Sequence, residues 1–247
     1  AYNAGLIGKF ILEKKTRINV ELDVASEFRY RNPIVDDKTL VIVLSQYGET
    51  LDTLEGLKEA KRNGAKVLAI TNVVGSSIAR EADNVVYTWA GPEIAVASTK
   101  AYTTQMVILY LIAIDMAYKF CKMTREEYVQ DIDDLYALRP LVEKMLTYNK
   151  QIKEIANVVK TSHSMFYLGR GLDFLIAVEG ALKSKEISYI HSEAFASGEL
   201  KHGTIALIEE GVPVIINLTQ ESLIEKSISN IKEVAARGAY IIAVATE

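Results

Sequence analysis

Apolar positions along this chain recur in two rhythms. Leu40 to Leu44 is an unbroken apolar run with β-branched residues at its centre, which predicts a strand buried on both faces of a parallel sheet. Leu51, Leu54, Leu57 and Ala60 then recur at helical spacing, predicting a helix over about Thr50–Asn63. The same reading places strands near Asn19–Val24, Thr39–Leu44, Lys66–Thr71 and Asn84–Thr88, and helices over Asn3–Lys14 and from about Ser98 to Phe120. Further on it places strands near Ser164–Leu168, Pro213–Leu218 and Tyr240–Thr246, and a helix from about Leu175 to Tyr189. Gly64 and Gly75 stand where helix ends or turns call for positive φ. Pro140 suits the first turn of a new helix.

The pattern occurs twice. Displaced by 174 positions, Leu40–Thr71 falls on Val214–Ala245 without a gap, and Leu44-Ser45-Gln46 meets Leu218-Thr219-Gln220. Asn63-Gly64-Ala65 meets Arg237-Gly238-Ala239 just before a second apolar strand in each copy. A second register, displaced by 172, lays Glu27-Phe28-Arg29-Tyr30 on Glu199-Leu200-Lys201-His202. A repeat of strand, loop, helix, glycine and strand implies two copies of one unit; chance likeness of two ordinary βαβ patterns is the competing account. The predicted class is α/β, with two tandem subdomains, each a parallel sheet flanked by helices in a three-layer, Rossmann-like arrangement. The expected boundaries are 1–124 for the first subdomain, 125–139 for a polar linker and 140–247 for the second. The first copy opens on a helix with no strand before it and the second stops on a strand, so the expectation is part of a larger chain.

Composition narrows the partners. Of 247 residues, 49% are hydrophobic and 24% charged, and the net charge is −4. Without a Lys/Arg-rich block, nucleic acid is not an expected partner. The longest apolar stretch, Met106 to Ile114, is broken by Asp115 and is shorter than a bilayer span. No signal-peptide pattern opens the chain, and its single cysteine, Cys121, cannot form an internal disulfide. The expected location is the cytosol, with Cys121 buried among apolar neighbours.

Four places could carry chemistry. The loop Ser45-Gln46-Tyr47-Gly48-Glu49-Thr50 joins a strand to a helix, so unpaired N–H groups and the helix dipole converge there. It reads equally as an ordinary capped turn or as a phosphate cradle built from the Ser45 and Thr50 hydroxyls and the Gln46 amide. Lys183 and Glu186 stand three apart on one helix face, either as a solvent-facing ion pair or as an acid–base pair for adjacent sugar atoms. His202 lies in the polar loop Glu199-Leu200-Lys201-His202-Gly203, and histidine exchanges protons near neutral pH. His163 and His191 are expected to be buried and hydrogen-bonded. Ser98 and Thr99 either cap the long helix or also meet a sugar hydroxyl. Gly169-Arg170-Gly171 lacks the third glycine of a dinucleotide loop, because Phe174 holds that place.

Three segments together resemble a known family. Val43–Thr50, Glu93–Lys100 and Glu179–His202 are similar to the sugar-isomerase (SIS) domains of the glucosamine-6-phosphate synthase family, and the resemblance runs over essentially the whole chain. It implies two SIS subdomains, with Ser45, Gln46 and Thr50 holding the phosphate of fructose 6-phosphate or glucosamine 6-phosphate. Position 47 carries a phosphate-binding serine in the family pattern; Tyr47 stands there instead, which implies weakened phosphate binding. Val96, through its backbone, and Ser98 would touch the sugar. Glu186 would carry a proton between C1 and C2, Lys183 would assist at the sugar oxygens, and His202 would help open the ring. The family's histidine comes from the neighbouring subunit, so a homodimer is implied. A glutaminase domain is expected in the full-length protein, as is a C-terminal tail with an imine-forming lysine. No cofactor and no metal are implied. The alternative is a non-catalytic sugar-phosphate sensor of the same fold.

Overall fold

In the computed structural model, which describes residues 1–246, the chain forms two units, Ala1–Leu135 and Tyr136–Glu247. The first contains α1 (Tyr2–Thr16), α2 (Ala25–Phe28), β1 (Leu40–Ser45), α3 (Leu51–Arg62), β2 (Lys66–Thr71), α4 (Ser77–Glu81), β3 (Asn84–Tyr87), α5 (Lys100–Lys119) and α6 (Arg125–Tyr136). Its strands lie in the order β1-β2-β3, all parallel, with Ser45 beside Thr71 and Thr71 beside Tyr87. Because side chains alternate across a strand, Val43, Val67 and Ala69 pack with Leu57, Ala60 and Ile78 on one face. Ile42, Leu44 and Ile70 pack with Ala4 and Leu109 on the other. The sheet is thus sandwiched between α3 and α4 on one side and α1 and α5 on the other. Apolar runs without polar interruption are what such two-sided burial requires.

Helix α5 is long and apolar enough to cross a membrane by length and composition, with a mean hydropathy of 1.2. Its Leu109, Ala113, Ile114 and Ala117 are buried within the first unit, as befits a core helix.

The second unit contains α7 (Leu138–Leu146), α8 (Asn149–Val159), β4 (Ser164–Gly169), α9 (Leu172–Ser188), β5 (His191–Ala196), β6 (Pro213–Leu218), α10 (Ile224–Ala235) and β7 (Tyr240–Ala245). The strands lie in the order β5-β4-β6-β7, all parallel. Phe166, Leu168, Val214 and Ile216 pack with Leu200, Ile208 and Val234 to form its core. Gly169 closes β4 because a Cβ there would collide with the backbone of Asp173 and Phe174. Its missing side chain lets the first turn of α9 rest on the strand end. Strands β6 and β7 with α10 repeat β1, β2 and α3, as the 174-residue displacement predicts.

Several expectations differ from what is found. Asn19–Val24 is extended but forms no strand. The residues 172 further on, His191–Ala196, are β5 and pair with β4. No described strand flanks β1 on the corresponding side. The backbone of Val20 is satisfied by α1 instead, its N–H by Glu13 Oε1 at 3.0 Å and its carbonyl by Lys9 Nζ. Strand β5 is also one that the apolar pattern misses, since His191, Ser192 and Glu193 occupy an edge position. The polar stretch expected as a linker is the helix α6, whose Asp131 pairs with Lys15 of α1. Cys121 is exposed: it follows the end of α5 with φ +54, where the chain turns off the helix. His163 and His191 are exposed as well; the His191 ring faces Glu193 at 3.5 Å.

Candidate functional site

The C-terminal ends of β1, β2 and β3 come out in register, which in an open parallel sheet is the edge where ligands bind. From β1 the chain enters the six-residue loop and then α3. Ser45 is buried and its Oγ accepts the Gly48 N–H at 3.0 Å. This bond closes the loop into a tight turn. Gly48 sits at φ +69, and a Cβ there would lie 2.6 Å from Ser76 Cβ and 2.9 Å from Thr71 Oγ1. Only glycine satisfies both the backbone angle and the close approach. Glu49 reaches over to α4, where Oε1 accepts the Ser77 N–H at 2.8 Å; bonding to Ser77 holds its carboxyl below the ordinary value.

Polar groups are left over around this turn. Gln46 Nε2 and Oε1, Thr71 Oγ1 and Ser76 Oγ are all buried without a hydrogen-bond partner. Buried polar atoms are almost always satisfied, so these four atoms at one strand edge offer partners to a water or a polar ligand. Thr50 occupies the N-cap of α3, and its hydroxyl makes no capping bond. The first-turn amides of that helix are therefore available to an anion. Tyr47 is 54% exposed, with its hydroxyl 3.5 Å from the Glu93 carbonyl.

A second loop, from Thr88 to Thr99, leads into α5. Glu93 organises its far end: Oε1 accepts the Ala95 N–H at 3.0 Å, and Oε2 accepts the Ser98 hydroxyl. The Ser98 bond is the main cause of a Glu93 carboxyl held below the ordinary value. Ser98 Oγ also accepts the Ala101 N–H at 3.3 Å, so the helix is capped by Ser98, while Thr99 makes no side-chain cap. Ile94 and Val96 project into solvent at 96% exposure each, and the Val96 carbonyl accepts the Ser98 N–H at 3.1 Å. Sequence reasoning missed Thr71, Asn72 and Ser76 here. Their signal was available: Thr71 ends β2 and Asn72 follows it, as Ser45 ends β1 and Gln46 follows it.

Lys183, Glu186 and His202 belong to the second unit. Lys183 lies on α9 between two carboxylates, 2.5 Å from Glu186 and 3.6 Å from Glu179. All three side chains are partly buried. His202 closes the 3-10 turn Leu200–His202 and is exposed. Among the described residues its ring makes no hydrogen bond or ion pair with Lys183 or Glu186. The turn itself is anchored by Ser197, whose N–H and Oγ both donate to the Gly169 carbonyl, at 2.9 and 3.0 Å.

The repeat offers an internal control. Thr219-Gln220 of the second copy stand where Ser45-Gln46 stand in the first. There the polar groups are engaged: Thr219 N–H and Oγ1 both donate to the buried Asp173, and Gln220 Nε2 donates to the Arg170 carbonyl at 2.6 Å. Glu221 stands in place of Tyr47, which sets a carboxylate where an anion would approach. The first loop is open and the second is closed by its own protein.

Two parallel-sheet lobes with a polar loop at a strand edge define a class, and the family model for the SIS domain matches residues 1–115 and 159–247. The chain belongs to the SIS-domain family. It is 58% identical over 247 residues to the glutamine–fructose-6-phosphate aminotransferase (isomerizing) of Caldanaerobacter subterraneus subsp. tengcongensis, a match that covers 100% of this chain and 41% of that protein. The enzyme of the same name from Clostridium tetani is 57% identical, again over 100% of this chain and 41% of its own length. The chain therefore spans about two fifths of the length of these curated relatives. Among solved structures, the C-terminal domain of glucosamine-fructose-6-phosphate aminotransferase from Francisella tularensis superposes with a TM-score of 0.96 at 41% identity. That match covers 99% of this chain and 69% of the other.

Proposed function

We propose that the chain is the isomerase part of a glutamine–fructose-6-phosphate aminotransferase (isomerizing), binding fructose 6-phosphate and glucosamine 6-phosphate. The observation that carries the reading is the buried, unpartnered Gln46 carboxamide beside the open N-terminus of α3. A phosphate there receives the first-turn amides and the Thr50 and Ser45 hydroxyls, while Gln46 gains the partner it lacks. Tyr47 crowds the same loop and weakens the grip. Val96, by its backbone, and Ser98 meet sugar oxygens.

The isomerisation moves one carbon-bound proton. The Glu186 carboxylate removes it from C1 of the open-chain ketose; the electron pair forms the C1–C2 double bond while the C2 carbonyl π pair moves onto O2, which is protonated to give the enediol, and the carbon-bound proton then returns to C2. As the C1 carbonyl forms, O1 gives up a hydroxyl proton equivalent to the one that O2 gained, with Lys183 beside the oxygens to offset negative charge. His202 protonates the ring oxygen when the cyclic sugar opens, and in this reading it is donated by the partner subunit of a homodimer. The relatives' greater length leaves room for a glutaminase domain that supplies ammonia. A cytosolic location fits a chain with one unpaired cysteine.

Titration calorimetry with both sugar phosphates, paired with deuterium uptake at C1 and C2 from heavy water, tests the assignment. Glu186→Gln is expected to bind within about twofold of the parent yet lose at least ~100-fold in exchange rate, the usual share of a general base. Exchange that survives in Glu186→Gln refutes the assigned base. Binding without any exchange in the parent favours the sensor reading.

A further inference from the structure

Asn72 follows directly on β2 and joins the two loops of the first unit. Its backbone N–H donates to the Gln46 carbonyl at 3.1 Å, inside the anion loop. Its side chain faces the other loop. Oδ1 accepts the Ala90 N–H at 2.8 Å and the Thr88 hydroxyl at 3.0 Å, and Nδ2 donates to the Gly91 carbonyl at 2.8 Å. Among the described residues, the backbone groups of Trp89, Ala90 and Gly91 make no other hydrogen bond within the protein.

That turn is strained. Trp89 holds φ +52 while 76% exposed, a backbone conformation that a bulky side chain seldom adopts. Such a conformation persists only where its surroundings over-determine it; here the Asn72 carboxamide holds the residues on either side, Thr88, Ala90 and Gly91, and the Trp89 ring rests 5.8 Å from that of Tyr87. Past the turn, Glu93 passes the pose on to Ala95 and Ser98 through its two carboxylate oxygens.

We infer that Asn72 is a positioning residue that couples the anion loop to the 88–99 loop, so that a phosphate seated at Gln46 orders the segment carrying Val96 and Ser98. The inference rests on the reading of the anion site given above. Before binding, the Gln46 carboxamide has no partner; binding supplies one and fixes Gln46. Through the Gln46 carbonyl the restraint reaches Asn72, and through its side chain the Trp89 turn. The binding energy of the phosphate group is thereby used to present sugar contacts several residues away.

Amide hydrogen exchange of residues 88–99, with and without saturating inorganic phosphate, tests this alongside calorimetry on the same samples. In the parent, phosphate is expected to slow exchange across the loop by at least about tenfold. Asn72→Ala is expected to bind inorganic phosphate within about threefold of the parent but to lose that protection. In the same background the cost of Ser98→Ala for fructose 6-phosphate binding is expected to vanish, a coupling that a purely structural role does not produce. Equal protection in both proteins overturns the inference. So does an equal fold-loss of phosphate and sugar-phosphate affinity, since Asn72 then merely builds the loop. Should Asn72→Ala fail to fold, Asn72→Asp keeps the acceptor bonds to Ala90 and Thr88, loses the donor to Gly91, and is expected to show reduced protection. A parent that binds phosphate but no sugar phosphate refutes the sugar reading while the exchange data still decide the coupling. A parent that binds neither overturns both.

Discussion

Gln46 and Gln220 hold the same place in two copies of one strand–loop–helix unit, yet their side chains have opposite fates. The Gln46 carboxamide is buried with no partner, and that of Gln220 donates to the Arg170 carbonyl at 2.6 Å. The repeated pattern carries the same residue twice, and only the first is left available.

This contrast separates binding from stability. Gln46→Leu is expected to abolish sugar-phosphate binding while leaving the urea midpoint unchanged or raised, because an unsatisfied buried amide is removed. Gln220→Leu is expected to cost about 1–2 kcal/mol by orphaning the Arg170 carbonyl, with binding unaffected. Equal stability losses in both variants, read from urea unfolding, count against the contrast.

Gly48 is constrained by both its φ and its neighbours. Gly48→Ala is expected to destabilise the first unit by at least ~2 kcal/mol, combining the strain of a positive φ with the clash against Ser76. Adding Ser76→Gly removes the contact with Ser76 but leaves the positive φ and the approach to Thr71 Oγ1, so thermal melting of the double variant is expected to recover part of the loss and not all of it.

At position 47 the ring is 54% exposed, with its hydroxyl 3.5 Å from the Glu93 carbonyl, and in the proposed function it weakens the grip on phosphate. Tyr47→Ser is expected to tighten fructose 6-phosphate binding by about tenfold, equal to ~1.4 kcal/mol. Calorimetry that finds unchanged or weaker binding removes Tyr47 from the account of the pocket.

The two rim carboxylates predict an acid response. Glu49 and Glu93 are held below their ordinary value of 4.5, chiefly by bonding to Ser77 and to Ser98. A carboxyl depressed in the folded state contributes stability above its unfolded value and loses it as pH falls through the folded one. The loop contacts are therefore expected to be intact at neutrality and to loosen below about pH 4.5. Nuclear magnetic resonance shifts of Ser77 and Ala95 amides follow this directly. In Glu49→Gln and Glu93→Gln the corresponding pH dependence is expected to flatten.

Subunit mixing addresses the proposed donation of His202. Glu186→Gln and His202→Ala are each expected to be inactive alone, while a one-to-one mixture regains about a quarter of parental activity, as half the dimers carry one complete site. A mixture as inactive as its components refutes donation across the interface.

Much of the fold was legible because two-sided burial imposes a simple rule. Val41–Leu44, Val67–Ile70 and Val214–Ile216 must be apolar at every position, so their strands stand out within a residue or two. Strand β5 did not, since an edge position tolerates His191, Ser192 and Glu193. Asn19–Val24 carried a strand-like pattern but met no flanking strand, and Glu13 and Lys9 took its backbone groups instead. Helix α6 was hidden in the other direction, because an exposed polar helix has the composition of a linker.

The site divides along the same line. Residue order alone determined the duplicated unit, the polar loop after the first apolar run, and the Lys183–Glu186 spacing, because these depend on neighbours within a turn or two of chain. Which copy of the loop stays open was decided only in three dimensions. Asp173 and the Arg170 carbonyl, 46 and 50 positions from the groups they bind, satisfy Thr219 and Gln220. Among the described residues, none does so for the Gln46 carboxamide. Hydrogen-bond satisfaction is settled by what lies nearby in space, and local periodicity carries no record of it.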